Sequence, residues 1–117
     1  MSKLDLETYI GKNHDHVPPA VLHPVVIRHP ETGRKALFVN PVFTTRIDGW
    51  TEAESQPLLK YLCEFATQPA FCCRLQWQPG ASAFWDNRIT QHLAINDYDG
   101  HRRLMHRITL KGTPLLA

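Results

Sequence analysis

One segment of the 117-residue sequence has the spacing of an amphipathic helix, and the apolar runs on either side of it are short. Thr51 and Glu54 have the separation of a capping box, in which each side chain accepts a bond from the backbone N–H of the other residue. Apolar side chains then recur at helical spacing, at Leu58, Leu59, Leu62 and Phe65. The pattern stops before Pro69 and predicts a helix over residues 52–66 whose apolar stripe packs in the core.

Strand-like runs make up most of the remaining sequence. Residues 25–29 and 35–40 are rich in apolar and β-branched side chains and flank the turn sequence Pro30-Glu31-Thr32-Gly33, which predicts a hairpin. Four further runs follow the helix, at residues 71–78, 83–85, 89–95 and 103–110. About six short strands with one helix predict a mainly β chain, arranged as an antiparallel sandwich or barrel and not as alternating βα units.

The first part of the chain has a different composition. Residues 11–24 contain Gly11, Asn13 and three prolines among polar residues, which predicts a loop. Residues 4–10 are compatible with a short helix or an arm. We therefore expect a single domain with an N-terminal arm or loop over residues 1–22 and a packed portion over residues 23–117.

Charge and composition exclude several classes of protein. The formal net charge is only +2, and the basic residues form no long run, which argues against a nucleic-acid partner. No stretch approaches the ~18 apolar residues of a membrane span, and the N-terminus has no apolar secretion signal. The chain has three cysteines, of which Cys72 and Cys73 are adjacent, so we expect a reducing cytoplasm and not a disulfide framework.

Some of the seven histidines are candidate metal ligands. His14 and His16 lie close together in the N-terminal loop, where a solvated polar loop is the simpler interpretation. His23 and His29 have no partner at ligand spacing and are interpreted as structural or surface residues. A small metal-binding protein that uses His14, His16 and His92 is one of the alternatives left open by the sequence.

Histidine and arginine side chains are concentrated between Phe84 and Leu110. Ten residues separate His92 from Arg103, which predicts that the two lie on strands joined by one turn and face each other across a hairpin. A neutral imidazole binds iron, zinc or copper, and a guanidinium group matches a carboxylate, sulfonate or phosphate. Arg107 would share one strand face with Arg103, which favours an anion-binding face. The alternative is a buried histidine beside two surface arginines.

The same region carries a family resemblance. Residues 85–112, WDNRITQHLAINDYDGHRRLMHRITLKG, resemble the C-terminal signature of the TauD/TfdA family of iron(II)- and 2-oxoglutarate-dependent dioxygenases, which includes taurine dioxygenase. The similarity extends upstream through HPVVIRHPETGRKALFVNPVFTTRIDGWTEAESQPLLKYL and RLQWQPG. It covers about residues 23–113, or roughly four-fifths of the chain.

The resemblance implies a fold, two cofactors and a set of site residues. The family fold is a double-stranded β-helix, a cupin-like jelly roll, with iron(II) held by two histidines and one carboxylate. His92 matches the distal histidine ligand, and Arg103 matches the arginine that binds the far carboxylate of 2-oxoglutarate. Arg107 and Phe43 match positions that contact a small anionic substrate, taurine or another sulfonate. Trp85 matches a tryptophan next to the iron site.

The resemblance also implies that this chain corresponds to the C-terminal half of a dioxygenase. The family's early His-x-Asp/Glu motif, which supplies the other two iron ligands, belongs to the N-terminal half. We therefore expect the chain to have no oxygenase activity alone. The sequence does not decide whether the chain is an enzyme in its own right. A companion chain carrying the N-terminal half would complete it. The alternative is a remnant that acts as a binding or oligomerisation module through unpaired strands, for example as a homo-oligomer.

Overall fold

The computed structural model of the protein describes residues 5–8 and 20–117. Its elements in chain order are β1 (Asp5–Thr8), β2 (Val21–Pro24), β3 (Val26–Arg28), β4 (Lys35–Leu37), β5 (Thr44–Ile47), the helix α1 (Glu52–Ala66) and a 3₁₀ helix (Pro69–Phe71). β1 lies between β2 and β5 in a three-stranded antiparallel sheet, and β3 pairs with β4 in a second, two-stranded sheet. The described residues thus contain sheet and one α-helix, as the sequence predicts, but the strands are few and short.

The β3–β4 hairpin confirms the prediction made from residues 25–40. Ile27 pairs with Ala36 in the antiparallel register. The His29 N–H donates to the Arg34 carbonyl at 2.9 Å, and the Gly33 N–H donates to the His29 carbonyl at 2.8 Å. Gly33 has a φ of 69°, a left-handed conformation that side chains with a Cβ rarely adopt. The turn chemistry read from the sequence is therefore the turn that forms.

The helix α1 begins and ends where the periodicity predicts. The Thr51 side chain accepts from the Glu54 N–H at 3.3 Å, and Glu54 Oε2 accepts from the Thr51 N–H at 2.8 Å. These bonds with Thr51 lower the pKa of Glu54 from its ordinary value. Neither α1 nor any other helix within the described ranges has the length and apolar character needed to cross a membrane.

The cap gives a first prediction about stability. Replacing Thr51 with alanine leaves the Glu54 N–H without its side-chain acceptor, so we expect the free energy of unfolding to fall by about 1 kcal/mol. Urea unfolding followed by helical circular dichroism measures this change. Thr67→Ala, at the other end of α1, is the matched control, because the Thr67 hydroxyl only donates to carbonyls of the last turn. Equal losses in the two variants would contradict the assignment of the cap.

The apolar core lies between α1, β5 and the hairpin. Its most buried members are Val25, Val39, Ile47 and Leu59. Leu58 and Leu62 pack against this cluster, whereas Phe65 is 41% exposed, so the predicted stripe is core along most but not all of its length. The buried Ser55 joins helix to strand: its hydroxyl donates to the Thr51 carbonyl at 2.8 Å and accepts from the Ile47 N–H at 3.0 Å.

The strands predicted after the helix do not form. The runs 71–78, 83–85, 89–95 and 103–110 contain no strand, and between residues 72 and 117 the only β pairing is a bridge from Leu116 to Arg28. A strand needs a neighbour that offers its own N–H and carbonyl groups, and no described segment pairs with these runs. Their apolar side chains stay exposed, among them Phe84, Leu93 and Ile108. The predicted sandwich or barrel is therefore not present in these residues.

The N-terminal prediction is also corrected. β1 lies within residues 4–10, where a short helix or an arm was expected, and β2 occupies the end of the predicted loop 11–24. These segments become strands because β1 pairs with both β2 and β5, and β5 is distant from β1 in sequence. Residues 1–4 and 9–19 lie outside the described residues, so most of the predicted loop does too. The boundary at residues 22 and 23 stays a prediction.

Candidate functional site

His92, the predicted iron ligand, packs against Trp85. The two ring centroids are 5.0 Å apart with an interplanar angle of 58°. Trp85 is half-buried and its indole Nε1 donates to Asn87 Oδ1 at 2.8 Å, which fixes the ring direction. His92 itself is exposed, and within the described residues no hydrogen bond reaches its ring nitrogens. The structure thus brings together two predicted site residues and leaves the imidazole nitrogens open to a ligand.

Arg103, the predicted 2-oxoglutarate residue, lies over an aromatic face. Its guanidinium carbon is 5.4 Å from the centroid of the Tyr98 ring, a cation–π contact at an exposed site. Tyr98 opens a turn in which its carbonyl accepts from the His101 N–H at 3.0 Å. Among the described residues no carboxylate pairs with Arg103. Its N–H groups therefore remain available for an anion.

The two predicted substrate residues, Arg107 and Phe43, lie far apart in sequence, and no hydrogen bond, ion pair or ring contact joins them in the described part of the chain. Arg107 is exposed, and no ion pair within the described ranges involves it. Phe43 lies in the turn before β5 and is 36% exposed. No hydrogen bond, ion pair or ring contact among the described residues joins His92 to Arg103, Arg107 or Phe43. The hairpin expected to face His92 with Arg103 does not form, because neither run finds strand partners.

A cluster that sequence reasoning missed links the hairpin to the segment after the helix. His29 Nε2 lies 3.1 Å from Asp86 Oδ2, across 57 positions of sequence. Arg88 Nε donates to both oxygens of the Asp86 carboxylate, at 2.9 and 3.0 Å. These bonds from Arg88 hold the pKa of Asp86 well below its usual range. His29 is buried at 7% exposure, which supports its interpretation as a structural residue.

The chain contains one His-x-Glu triplet, His29-Pro30-Glu31, whose residue types match the family's early iron motif. Both ring nitrogens of this histidine are engaged: Nδ1 accepts from the Glu31 and Thr32 N–H groups, and Nε2 faces Asp86. The Glu31 carboxylate is exposed and lies 3.7 Å from Arg88. The triplet is thus part of a hairpin turn and not an open ligand pair.

The described residues do not by themselves fit an iron site. A facial triad needs three protein ligands, and no group of three or more His, Cys, Asp or Glu side chains in residues 20–117 is arranged to hold a metal. His92 is the one residue of this part of the chain that the sequence predicts as an iron ligand. The alternative ligands His14 and His16 lie outside the described residues.

A surface pocket of about 350 Å³ adjoins the turn that carries Phe43. It opens between α1 and the turn before β5, and its lining includes Asn40, Leu59 and Cys63. None of the five predicted site residues lines it. Burial raises the pKa of the Cys63 thiol, and all three cysteines are free thiols. The pocket is therefore not the site that the sequence predicted.

A sequence model of one known family matches residues 4–109, nearly the whole chain. That family is described as "Taurine catabolism dioxygenase TauD, TfdA family". The matched range contains His92, Arg103 and Arg107, together with the cluster around Asp86.

Individual relatives agree with the family match. The chain is 49% identical over 90 residues to an alkylsulfatase of Acinetobacter baylyi, covering 77% of this chain and 28% of that protein. It is 42% identical to an alpha-ketoglutarate-dependent sulfate ester dioxygenase of Pseudomonas putida, covering 77% of this chain and 30% of the relative. The crystal structure of a taurine dioxygenase from Burkholderia xenovorans superposes with a TM-score of 0.61 at 42% identity, over 74% of this chain and 29% of that one. The chain thus spans less than a third of the length of these relatives.

Proposed function

We propose, from the premise that this chain belongs to the TauD, TfdA dioxygenase family, that it forms part of an iron(II)- and 2-oxoglutarate-dependent dioxygenase. The observation that carries the proposal is the family match over residues 4–109, because that range includes both His92 and Arg103. Relatives that share the match include alpha-ketoglutarate-dependent dioxygenases.

The proposed roles follow the chemistry of the side chains. His92 is the distal iron ligand, since its ring nitrogens have no hydrogen-bond partner among the described residues. Arg103 binds the far carboxylate of 2-oxoglutarate through its guanidinium group, which also makes a cation–π contact with the Tyr98 ring. Trp85 packs against the ligand ring. Iron(II) with 2-oxoglutarate would supply the oxidation of a substrate C–H bond, while the protein binds and orients the reactants.

The proposed substrate is a small sulfonate or sulfate ester, with taurine as the first compound to assay. Arg107 has no ion-pair partner in the described part of the chain, so its charge is available for an anionic group. Phe43 would supply an apolar wall. Relatives described as an alkylsulfatase, a sulfate ester dioxygenase and a taurine dioxygenase support the same class of substrate.

The proposed site needs residues beyond those in the described part of this chain. Two further iron ligands are needed, and the runs after α1 need strand partners if they are to form the double-stranded β-helix expected of the family. A companion segment, equivalent to the part of the relatives that this chain does not match, would provide the iron ligands and the strand partners. We propose that the assembly works in the cytoplasm. A second candidate function, a non-catalytic binding or oligomerisation module, is favoured by the exposed apolar side chains of Phe84, Leu93 and Ile108.

Anaerobic titration with iron(II) and 2-oxoglutarate tests the proposal. The isolated chain is expected to show no visible charge-transfer band of the iron chelate and no succinate formation in air. A completed assembly, made by adding the part of the Acinetobacter baylyi relative that this chain does not match, is expected to show both. Turnover by the isolated chain would contradict the need for a companion. Two results together would favour the oligomerisation module: the completed assembly forms but does not bind 2-oxoglutarate, and the isolated chain forms dimers.

A further inference from the structure

The side chain of His29 has a single defined orientation and tautomer. His29 lies at the end of β3, and its Nδ1 is 3.3 Å from the Glu31 N–H and 3.2 Å from the Thr32 N–H. Backbone N–H groups only donate, so Nδ1 is the acceptor and the ring proton is on Nε2. Nε2 therefore donates to Asp86 Oδ2 at 3.1 Å. The turn of the hairpin thus sets which ring nitrogen faces the segment after the helix.

Arg88 also holds the Asp86 carboxylate. Besides the two bonds from its Nε, its terminal Nη2 donates to Asp86 Oδ2 at 2.5 Å, and its backbone N–H donates to Oδ1 at 2.9 Å. A carboxylate that accepts from donors on both oxygens has one preferred orientation. Asp86 and Arg88 are also largely covered, with side-chain exposures of 29% and 24%. We call His29, Asp86 and Arg88 the Asp86 clamp.

The Asp86 clamp lies next to the residues that place His92. Trp85, whose ring contacts the His92 imidazole, directly precedes Asp86 in the chain. At the other end of the segment, the Gln91 side chain donates to the Val39 carbonyl. Both ends of residues 85–92 are therefore attached to the hairpin and to the residues directly after it. Because this segment has no strand ladder, these side-chain bonds are what fixes its position.

We propose that the Asp86 clamp is a positioning device for His92, acting through Trp85. No hydrogen bond, ion pair or ring contact joins the three clamp residues to His92, and the only ring contact of His92 in the described residues is with Trp85. A histidine that ligates a metal is commonly oriented by a hydrogen bond to its other nitrogen, and no such bond is present here. Packing against the indole of Trp85, the residue directly before Asp86, takes that place. The use of His92 as a ligand rests on the proposed function, whereas the positioning is a property of this chain alone.

Proton NMR of the full chain tests this positioning without iron or 2-oxoglutarate. The indole ring of Trp85 shifts the resonances of protons close to its face, so the His92 imidazole signals are expected to be displaced from their usual positions. His92→Gln identifies those signals among the seven histidines. In Asp86→Ala the displacement is expected to be lost. The matched control is Asp97→Ala, because Asp97 pairs with Arg74 at 2.5 Å in the same strand-free region and has no bond to the clamp.

The outcomes separate positioning from folding and from the proposed function. If Asp86→Ala loses the helical circular dichroism signal of α1, the Asp86→Asn variant is used in its place, because asparagine keeps the side-chain volume and one acceptor oxygen. In that variant the His92 signals are expected to move part of the way towards their undisplaced positions. Signals that stay in place in a folded Asp86 variant, or that move equally in Asp97→Ala, would overturn the proposal. A failure of the completed assembly to bind 2-oxoglutarate would refute the proposed function and leave this result standing.

Discussion

Replacing Arg103 with alanine in the completed assembly is expected to weaken 2-oxoglutarate binding by about 10- to 100-fold. A hydrogen bond to a charged group contributes about 1.5–3 kcal/mol, and each 1.4 kcal/mol is a factor of about ten in affinity. The guanidinium of Arg103 lies over the Tyr98 ring and has no carboxylate partner among the described residues, so an incoming carboxylate need not displace one. Anaerobic titration of the iron(II) assembly with 2-oxoglutarate, followed by the visible band of the chelate, measures the change.

The neighbouring arginine provides the control. Arg102 is also exposed and carries the same charge, so Arg102→Ala changes the net charge of the protein by the same amount. We expect it to leave 2-oxoglutarate affinity unchanged, because general attraction of an anion is screened by salt whereas a bonded pair is not. Equal weakening in both variants would show that the region attracts 2-oxoglutarate only through its overall charge, and Arg103 would lose its assigned role.

The sequence predicts the local elements well. The helix over residues 52–66 and the turn between residues 30 and 33 depend on neighbours within four or five positions, so capping and turn residues are sufficient to identify them. β1 and β2 were missed for the opposite reason. Their four-residue segments carry little periodicity, and they become strands because β1 pairs with both β2 and the distant β5.

The runs after the helix show the limit of pattern reading. Residues 89–95 and 103–110 have strand composition, yet a strand also needs a partner, and the sequence cannot show whether one is present. The same holds for the site. The spacing of His92, Arg103 and Arg107 marks them as candidates, and the family resemblance gives them roles. The bond between His29 and Asp86, in contrast, spans 57 positions and has no local signal. A pairing between a turn histidine and a distant aspartate becomes visible only in three dimensions.

Loss of the His92 imidazole is expected to have the largest effect on the completed assembly. In His92→Ala one of three proposed iron ligands is absent, so iron(II) should not survive dialysis and succinate formation should fall below detection. Loss of a residue that merely orients a ligand typically costs about 10- to 100-fold in metal affinity, and loss of the ligand itself should exceed that. Metal content after anaerobic dialysis measures the effect directly and does not depend on choosing the correct substrate.

His106 is the matched control for this variant, since it is an exposed histidine in the same strand-free region. His106→Ala is expected to retain iron, because in an extended segment its side chain would point to the face opposite Arg103 and Arg107. If both variants keep their iron, the metal is held without His92 and the proposed ligand is wrong. If both lose it, the effect is on assembly and not on ligation. Only a loss of iron that is confined to His92→Ala supports His92, the residue that packs against Trp85, as an iron ligand.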